Sequence, residues 1–274
     1  MQTISILGCG WLGKALARQL VEQGYCVKGS TRTSEKLSAI AQQGAQALQV
    51  YLPAPQTEPQ LRELLSCHWL VVSVPPSHRH KLENHYAKQI DSLVESFQLL
   101  ENQPKVIYIS STSVYLECNG VVTEESPIKS AQQDEIAYAE EVLRNHCKAT
   151  VVRCGGLMGY DRIPGKYFIG QVVDTGQIPV NFIHRDDAVA LITTIIKRNV
   201  VNEIFNAVAP LHPTRQEVYL TNAQKFGWSP PIFVSPSQPK SFKIVSSNKA
   251  VEQLGFRFLF PNPMEFYYEN SISK

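Results

Sequence analysis

The chain has 274 residues, 26 Lys and Arg against 24 Asp and Glu, and a formal net charge of +2. Both signs are mixed along the chain, so no basic stripe marks a nucleic-acid face, and no apolar run approaches the roughly 20 residues of a membrane span. Its six cysteines, at 9, 26, 67, 118, 147 and 154, include no Cys-x-x-Cys pair, which points to a reduced, cytoplasmic protein with neither a disulfide framework nor a metal site.

The first apolar run, Ile4-Ser5-Ile6-Leu7, ends in Gly8-x-Gly10-x-x-Gly13, and Leu12, Leu16 and Leu20 then recur at helical spacing. Strand, tight turn and helix follow one another without a spare residue. Gly8 allows the sharp turn, Gly10 removes the Cβ that would block a pyrophosphate, and Gly13 lets the helix pack closely on the strand. The amides of the helix's first turn, at Trp11, Leu12 and Gly13, then face the negative charge. In this context the glycines mark a dinucleotide-binding turn.

A second strand, 25–30, runs into Gly29-Ser30-Thr31-Arg32-Thr33, with no acid until Glu35. NAD-binding sites of this type carry Asp or Glu here to hold the ribose hydroxyls. Arg32 instead offers a fork of donors to a 2′-phosphate, and Ser30, Thr31 and Thr33 offer hydroxyls, so NADP is favoured over NAD. A solvated Arg32, with Thr33 or Ser34 capping the next helix, is the plainer reading, and both can hold together.

Helix 34–43, strand 46–51, a short helix near 58–65 and the run 69–74 follow. That run reads Val71-Val72-Ser73-Val74-Pro75-Pro76, and Val74 and Pro75 are placed to wall a ribose, because ligands of open α/β sheets bind beyond the strands' carboxyl ends. The next residues, His78-Arg79-His80-Lys81, read as a solvated helix start rather than a metal or phosphate patch, since no carboxylate or cysteine completes a ligand set. Helix 80–100, strand 105–110, helix 131–146 and strand 149–154 complete an alternating pattern. Repeated strand-helix-strand units with nearly unbroken apolar strands mean a doubly wound parallel sheet, an α/β Rossmann-type fold.

After residue 158 glycines and prolines loosen the rhythm, and a smaller, loop-rich C-terminal lobe is expected rather than more sheet. Its expected elements are helix 185–198, strand 204–208, helix 214–226 and helix 247–254. Residues 1–158 are thus read as the dinucleotide-binding domain and 159–274 as a smaller substrate-binding lobe, with about 180–208 returning to pack on the first domain.

The fifth strand and its exit read Val106-Ile107-Tyr108-Ile109-Ser110-Ser111-Thr112-Ser113-Val114-Tyr115. With the glycine turn, Arg153 at a strand end and Asn181-Phe182-Ile183-His184-Arg185-Asp186-Asp187, this resembles the extended short-chain dehydrogenase/reductase superfamily, in its NAD(P)-dependent epimerase/dehydratase branch. The resemblance implies that Ser111 hydrogen-bonds the reacting carbonyl or alcohol, that Ser110 lies near the nicotinamide ribose, and that Thr112 lies on the substrate side; for Ser111 simple capping of the strand end is an equally open reading. It also implies that the segment through Arg162 crosses over the site, where Arg162 either offers its donors to an anionic or hydroxyl-rich group or is simply a surface arginine. His184 is a further substrate-side candidate, although that stretch is largely structural in the family.

The family's Tyr-x-x-x-Lys pair is missing. Four residues after Tyr138 stands Val142, and aligning Glu140 with the family's glutamate puts Gln132 and Ile136 in the tyrosine and lysine places. Without a neighbouring cation, a tyrosine of pKa near 10 is only about one part in a thousand ionised at neutral pH. Tyr138 is therefore the catalytic tyrosine or a residue at the rim of an amphipathic helix, with Tyr115 an alternative hydroxyl. The chain reads as an atypical member, an NAD(P)-dependent oxidoreductase or epimerase-like enzyme acting on a small carbonyl or hydroxyl substrate. The alternative is a non-catalytic NADP(H)-binding sensor. The expected partner is a small-molecule substrate or none, with no nucleic acid and no membrane.

Overall fold

The computed structural model describes residues 1–55, 58–76 and 85–269. The first half runs β1 (Thr3–Leu7), α1 (Trp11–Glu22), β2 (Cys26–Thr31), α2 (Leu37–Ala41), β3 (Gln46–Gln49), α3 (Pro59–Leu65), β4 (Trp69–Val72), α4 (His85–Phe97) and β5 (Lys105–Ser111). It continues through β6 (Gly120–Val122), α5 (Glu135–Cys147), β7 (Thr150–Cys154), β8 (Gly156–Met158), β9 (Val172–Val173) and β10 (Phe182–His184). The remainder is α6 (Arg185–Lys197), β11 (Ile204–Ala207), α7 (Arg215–Phe226), β12 (Ile232–Phe233), β13 (Lys243–Val245) and α8 (Asn248–Leu254). The His78–Lys81 stretch lies outside the described residues.

Seven strands form the main sheet in the order β11-β7-β5-β4-β1-β2-β3. β1 lies parallel to both β2 and β4, with Ile4 opposite Val27 on one side and Trp69 on the other. β2 and β3, and β4 and β5, are also parallel. Such a sheet is covered on both faces, which is why β4 is apolar and buried at every position. Leu12, Leu16 and Leu20 of α1 point inward, as their spacing requires. A single cluster joins Leu61, Leu64, Leu93, Phe97, Tyr108 and Leu143 beneath the helices, and each such side chain contributes about 1.5–3 kcal/mol by leaving water. The doubly wound α/β fold expected from the sequence is the fold observed.

α5 begins later than its sequence suggests. Asp134 accepts the amides of Ile136 and Ala137 and caps the helix at Glu135, so Gln132 sits in the turn ahead of it rather than on a helical face.

The chain divides into two compact units. The first comprises Met1–Val114, Ile128–Arg153 and Ile192–Phe205, and the second Tyr115–Pro127, Cys154–Leu191 and Asn206–Lys274. The second unit contains more sheet than its glycines and prolines suggest: three short parallel pairs, β8 with β10, β9 with β12 and β6 with β13. These strands have two or three residues each, too few for an apolar alternation to register. α7 carries the expected cap, with Thr214 and Glu217 bonding each other's main chain. Among the described residues no helix is long and apolar enough to cross a membrane.

Candidate functional site

The glycine turn is fixed to β2 by Ser30. The Ser30 hydroxyl accepts the Gly8 amide at 3.1 Å, and its carbonyl accepts the Cys9 amide at 2.7 Å. Gly8 has a φ of +91°, and a Cβ there would stand 2.8 Å from the Ser73 carbonyl oxygen. A Cβ on Gly13 would stand 2.9 Å from the Gly8 carbonyl oxygen. Gly10 differs, because a Cβ there would meet no protein atom within 4 Å. The space beside Gly10 is therefore open, and Gly10, the residue just before α1, has no side chain to cap the helix. Helices leave their first amides without intrahelical partners, so the start of α1 is suited to a phosphate.

A cavity of about 330 Å³ opens at this turn. The exits of β1, β2, β3 and β4 border it, through Gly8 to Gly10, Ser30 to Arg32, Val50 and Leu52, and Ser73 to Pro76. Sequence reasoning named Gly8, Gly10, Ser30, Thr31, Arg32, Val74 and Pro75, and all seven line it. Leu12 and Gly13 are buried behind the turn, and Trp11, Leu12 and Gly13 do not line the cavity. Ser30 and Thr31 have prior engagements: Ser30 holds the turn, and Thr31 accepts the Thr33 amide at 3.3 Å.

Eight further lining residues were not singled out from sequence: Leu7, Cys9, Ser73 and Pro76 adjoin those that were, and four others come from elsewhere. Val50 and Leu52 follow the third strand, Gln89 comes from α4, and Lys36 follows the Arg32 loop. Among the described residues no carboxylate lines the cavity, whereas Arg32 and Lys36 both do. The wall at Val74 is propped from below, since Tyr86 donates to the Val74 carbonyl at 2.8 Å and meets the Tyr108 hydroxyl at 2.9 Å. An open glycine turn, a helix start, an apolar wall and two cations are the parts a nicotinamide dinucleotide needs, and these residues fit one.

The candidate catalytic residues are not gathered in this cavity. Ser110 is 5% exposed and donates its hydroxyl proton to Glu140. Glu140 in turn takes the Arg153 guanidinium at 2.7 Å, with both side chains 3% exposed. Ser110 thus has its hydroxyl proton engaged by a buried ion pair. Tyr138 donates to Asp91 at 2.7 Å. That bond, with burial and the nearby charges of Asp91 and Glu141, pushes its pKa up to about 12, away from a phenolate at neutral pH. Tyr115 has no exposed surface and donates to Asn206 at 2.8 Å. Ser111 is half-buried at the exit of β5, where its oxygen accepts the Ser113 amide at 3.1 Å. Thr112 is buried at 8% exposure.

In the second unit His184 has no exposed surface. Its ring lies 3.9 Å from that of Phe260, and a Cβ on Gly159 would stand 2.5 Å from its Nε2. His184 is thus enclosed by aromatic rings and main chain in this unit. Asp187 accepts the Leu259 and Phe260 amides at 2.7 and 2.9 Å. Tyr160 donates to Asp186 at 2.6 Å, with the Arg185 guanidinium 3.7 Å from its ring centre. Arg162 is half-buried in a tight turn whose main chain pairs with Gly159.

Protein YeeZ of Escherichia coli K12 is 30% identical over 273 residues, covering 96% of this chain and 98% of that protein. The chain belongs to the YeeZ family. Its fold is that of the extended short-chain dehydrogenase/reductases. A superfamily protein from Agrobacterium tumefaciens with bound NAD superposes with a TM-score of 0.79 at 15% identity, over 96% of this chain and 94% of that one. The human epimerase family protein SDR39U1 with NADPH gives 0.69 at 17% identity, over 96% and 97%. The family model described as "NADP oxidoreductase coenzyme F420-dependent" matches residues 3–96. This YeeZ-family chain thus pairs that fold with a helix α5 that lacks the tyrosine-lysine pair.

Proposed function

We propose that this protein binds NADP(H) at the glycine turn and acts as an atypical oxidoreductase or epimerase-like enzyme on a small carbonyl or hydroxyl compound. The observation that carries the reading is the single cavity in which the open Gly10 faces two cations, Arg32 and Lys36, and no carboxylate among the described residues. A ribose diol is met by an acid at this position, whereas a 2′-phosphate is met by a guanidinium and an ammonium. The relatives described with NAD and NADPH support the cofactor class.

Bound nicotinamide would supply a hydride acceptor or donor. Gly8 to Gly13 would hold the diphosphate, Arg32 and Lys36 the 2′-phosphate, and Val74 and Pro75 the ribose. Ser111 is the hydroxyl best suited to a substrate oxygen: its oxygen accepts from Ser113, which leaves its own proton to donate. Ser110, Tyr115 and Tyr138 all have their hydroxyl protons engaged by Glu140, Asn206 and Asp91. That engagement favours a second reading, a dinucleotide-binding sensor without hydride chemistry.

NADPH absorbance, followed with a panel of aldehydes, ketones and sugar-derived carbonyls, separates the two. Turnover that drops about a hundredfold in Ser111→Ala supports the enzyme, the scale of one lost proton donor. Tight binding with no turnover, and no effect of Ser111→Ala, supports the sensor. No affinity for NADPH or NADH overturns both.

A further inference from the structure

A second face of α5 borders a cavity of about 520 Å³ in the first unit. Ala137, Glu140, Glu141, Arg144 and Asn145 fall at three- and four-residue intervals and share that face. The loop ahead of the Asp134 cap, with Lys129, Ser130 and Gln132, forms one side, and Arg153 and Asn202 another. None of these residues lines the cofactor cavity. Arg153 and Glu140 cancel each other in their buried pair. What remains lining the space is Lys129, bridged to Asp134 at 3.2 Å, together with Arg144 and the exposed carboxylate of Glu141.

Arg144 is the anomaly. Its Nε is buried and has no hydrogen-bond partner, and among the described residues nothing pairs with its guanidinium, not even Glu141 three positions earlier on the same face. A guanidinium has five donors and no acceptor, and burying a donor without a partner is unfavourable until an acceptor arrives. Carboxylate and phosphoryl oxygens match its planar fork two at a time. Amide side chains at Gln132, Asn145 and Asn202 and the Ser130 hydroxyl border the same space, and they can bond the uncharged remainder of a polar molecule.

We propose that this cavity is an anion site distinct from the cofactor site, in which Arg144 takes the carboxylate or phosphoryl group of a small polar molecule. The proposal does not rest on the cofactor reading.

The probes are inorganic phosphate and succinate, titrated by calorimetry and by amide NMR shifts into wild type, Arg144→Gln, Arg144→Lys and Arg32→Gln protein. Binding in the millimolar range is expected, with shifts at Asn145 and Asn202. Arg144→Gln should weaken it at least about tenfold, the cost of one charge-assisted contact, and Arg144→Lys by less. Arg32→Gln should leave the shifts at Asn145 and Asn202 unchanged. Equal affinity of wild type and Arg144→Gln, loss only in Arg32→Gln, or no shift on α5 overturns the proposal. Those results leave NADPH affinity untouched as a separate measurement, and absent NADPH binding with an Arg144-dependent phosphate titration leaves this site standing. Preference for phosphate over succinate identifies a phosphoryl ligand, and the reverse a carboxylate.

Discussion

Arg153 reaches Glu140 with two different nitrogens, Nη2 to Oε2 at 2.7 Å and Nε to Oε1 at 3.0 Å, while Ser110 donates to the same carboxylate. The three groups come from β7, α5 and β5, so one buried cluster fastens a helix to two strands of the sheet. Removing one partner leaves a charge in a site 3% exposed. Glu140→Ala is therefore expected to lower stability by about 3–5 kcal/mol, and Ser110→Ala by about 1–2 kcal/mol. Urea unfolding measures both, and a change under 1 kcal/mol for Glu140→Ala contradicts the assignment.

Three glycines of one turn should fail in different ways. A Cβ at Gly10 meets no protein atom, so Gly10→Ala should fold with unchanged stability but lose dinucleotide affinity at least about tenfold, as side-chain bulk enters the phosphate position. Gly8→Ala and Gly13→Ala meet main-chain oxygens at 2.8 and 2.9 Å, and Gly8 also has a positive φ, so both should lower the melting temperature. Thermal unfolding and NADPH titration of the three variants test the contrast. A Gly10→Ala protein that binds NADPH normally removes the basis for the cofactor site.

On the proposed reading, Arg32 and Lys36 together would discriminate NADP from NAD. Each single change to Gln is expected to weaken NADPH about tenfold, roughly 1.4 kcal/mol, and to leave NADH within about twofold. Both cations are exposed, so the preference should also shrink as salt is raised. Equal losses for NADH and NADPH would instead mean that these side chains serve the adenine or the loop.

Much of this was legible in the sequence because it depends on local spacing. The Gly8 to Gly13 pattern, the strand exits at Ser30 and Val74 and the four-residue apolar recurrence of α1 each declare themselves within a dozen residues. Lys36 was not legible, because its place beside Arg32 depends on how the chain turns after β2. Nor were the partners of Ser110 and Tyr138. Glu140 lies 30 positions from Ser110 and Asp91 lies 47 from Tyr138, and no periodicity reports a bond across such a distance. The resemblance to the extended dehydrogenases supplied roles for those hydroxyls, and in this chain tertiary contacts have engaged them elsewhere. For His184 the sequence favoured a structural role, but the aromatic rings that pack around it were not legible there.

One buried histidine, His184, and one half-buried histidine, His212, should make the second unit acid-sensitive. His184 accepts the Asp186 amide on Nδ1 at 3.3 Å and presents Nε2 to the Tyr267 carbonyl at 3.2 Å, an arrangement that suits the neutral ring with its proton on Nε2. Burial lowers its pKa below 6.5, against the opposing charge of Asp186. His212, bonded to the Val180 carbonyl at 3.0 Å, is lowered by burial as well. Below about pH 6.5 the unfolded chain binds protons that the folded one resists, so the stability these rings contribute is complete above that value and falls as pH drops toward their folded pKa values. Asp187, raised by burial, acts in the opposite direction: its folded carboxyl holds a proton more tightly than the unfolded one does, nearer pH 4. The urea midpoint should therefore be flat between about pH 7 and 8 and decline between about pH 6.5 and 5, with a shallower decline in His212→Gln. Imidazole NMR titrations giving either histidine a folded midpoint at or above 6.5 would remove the cause assigned to that slope.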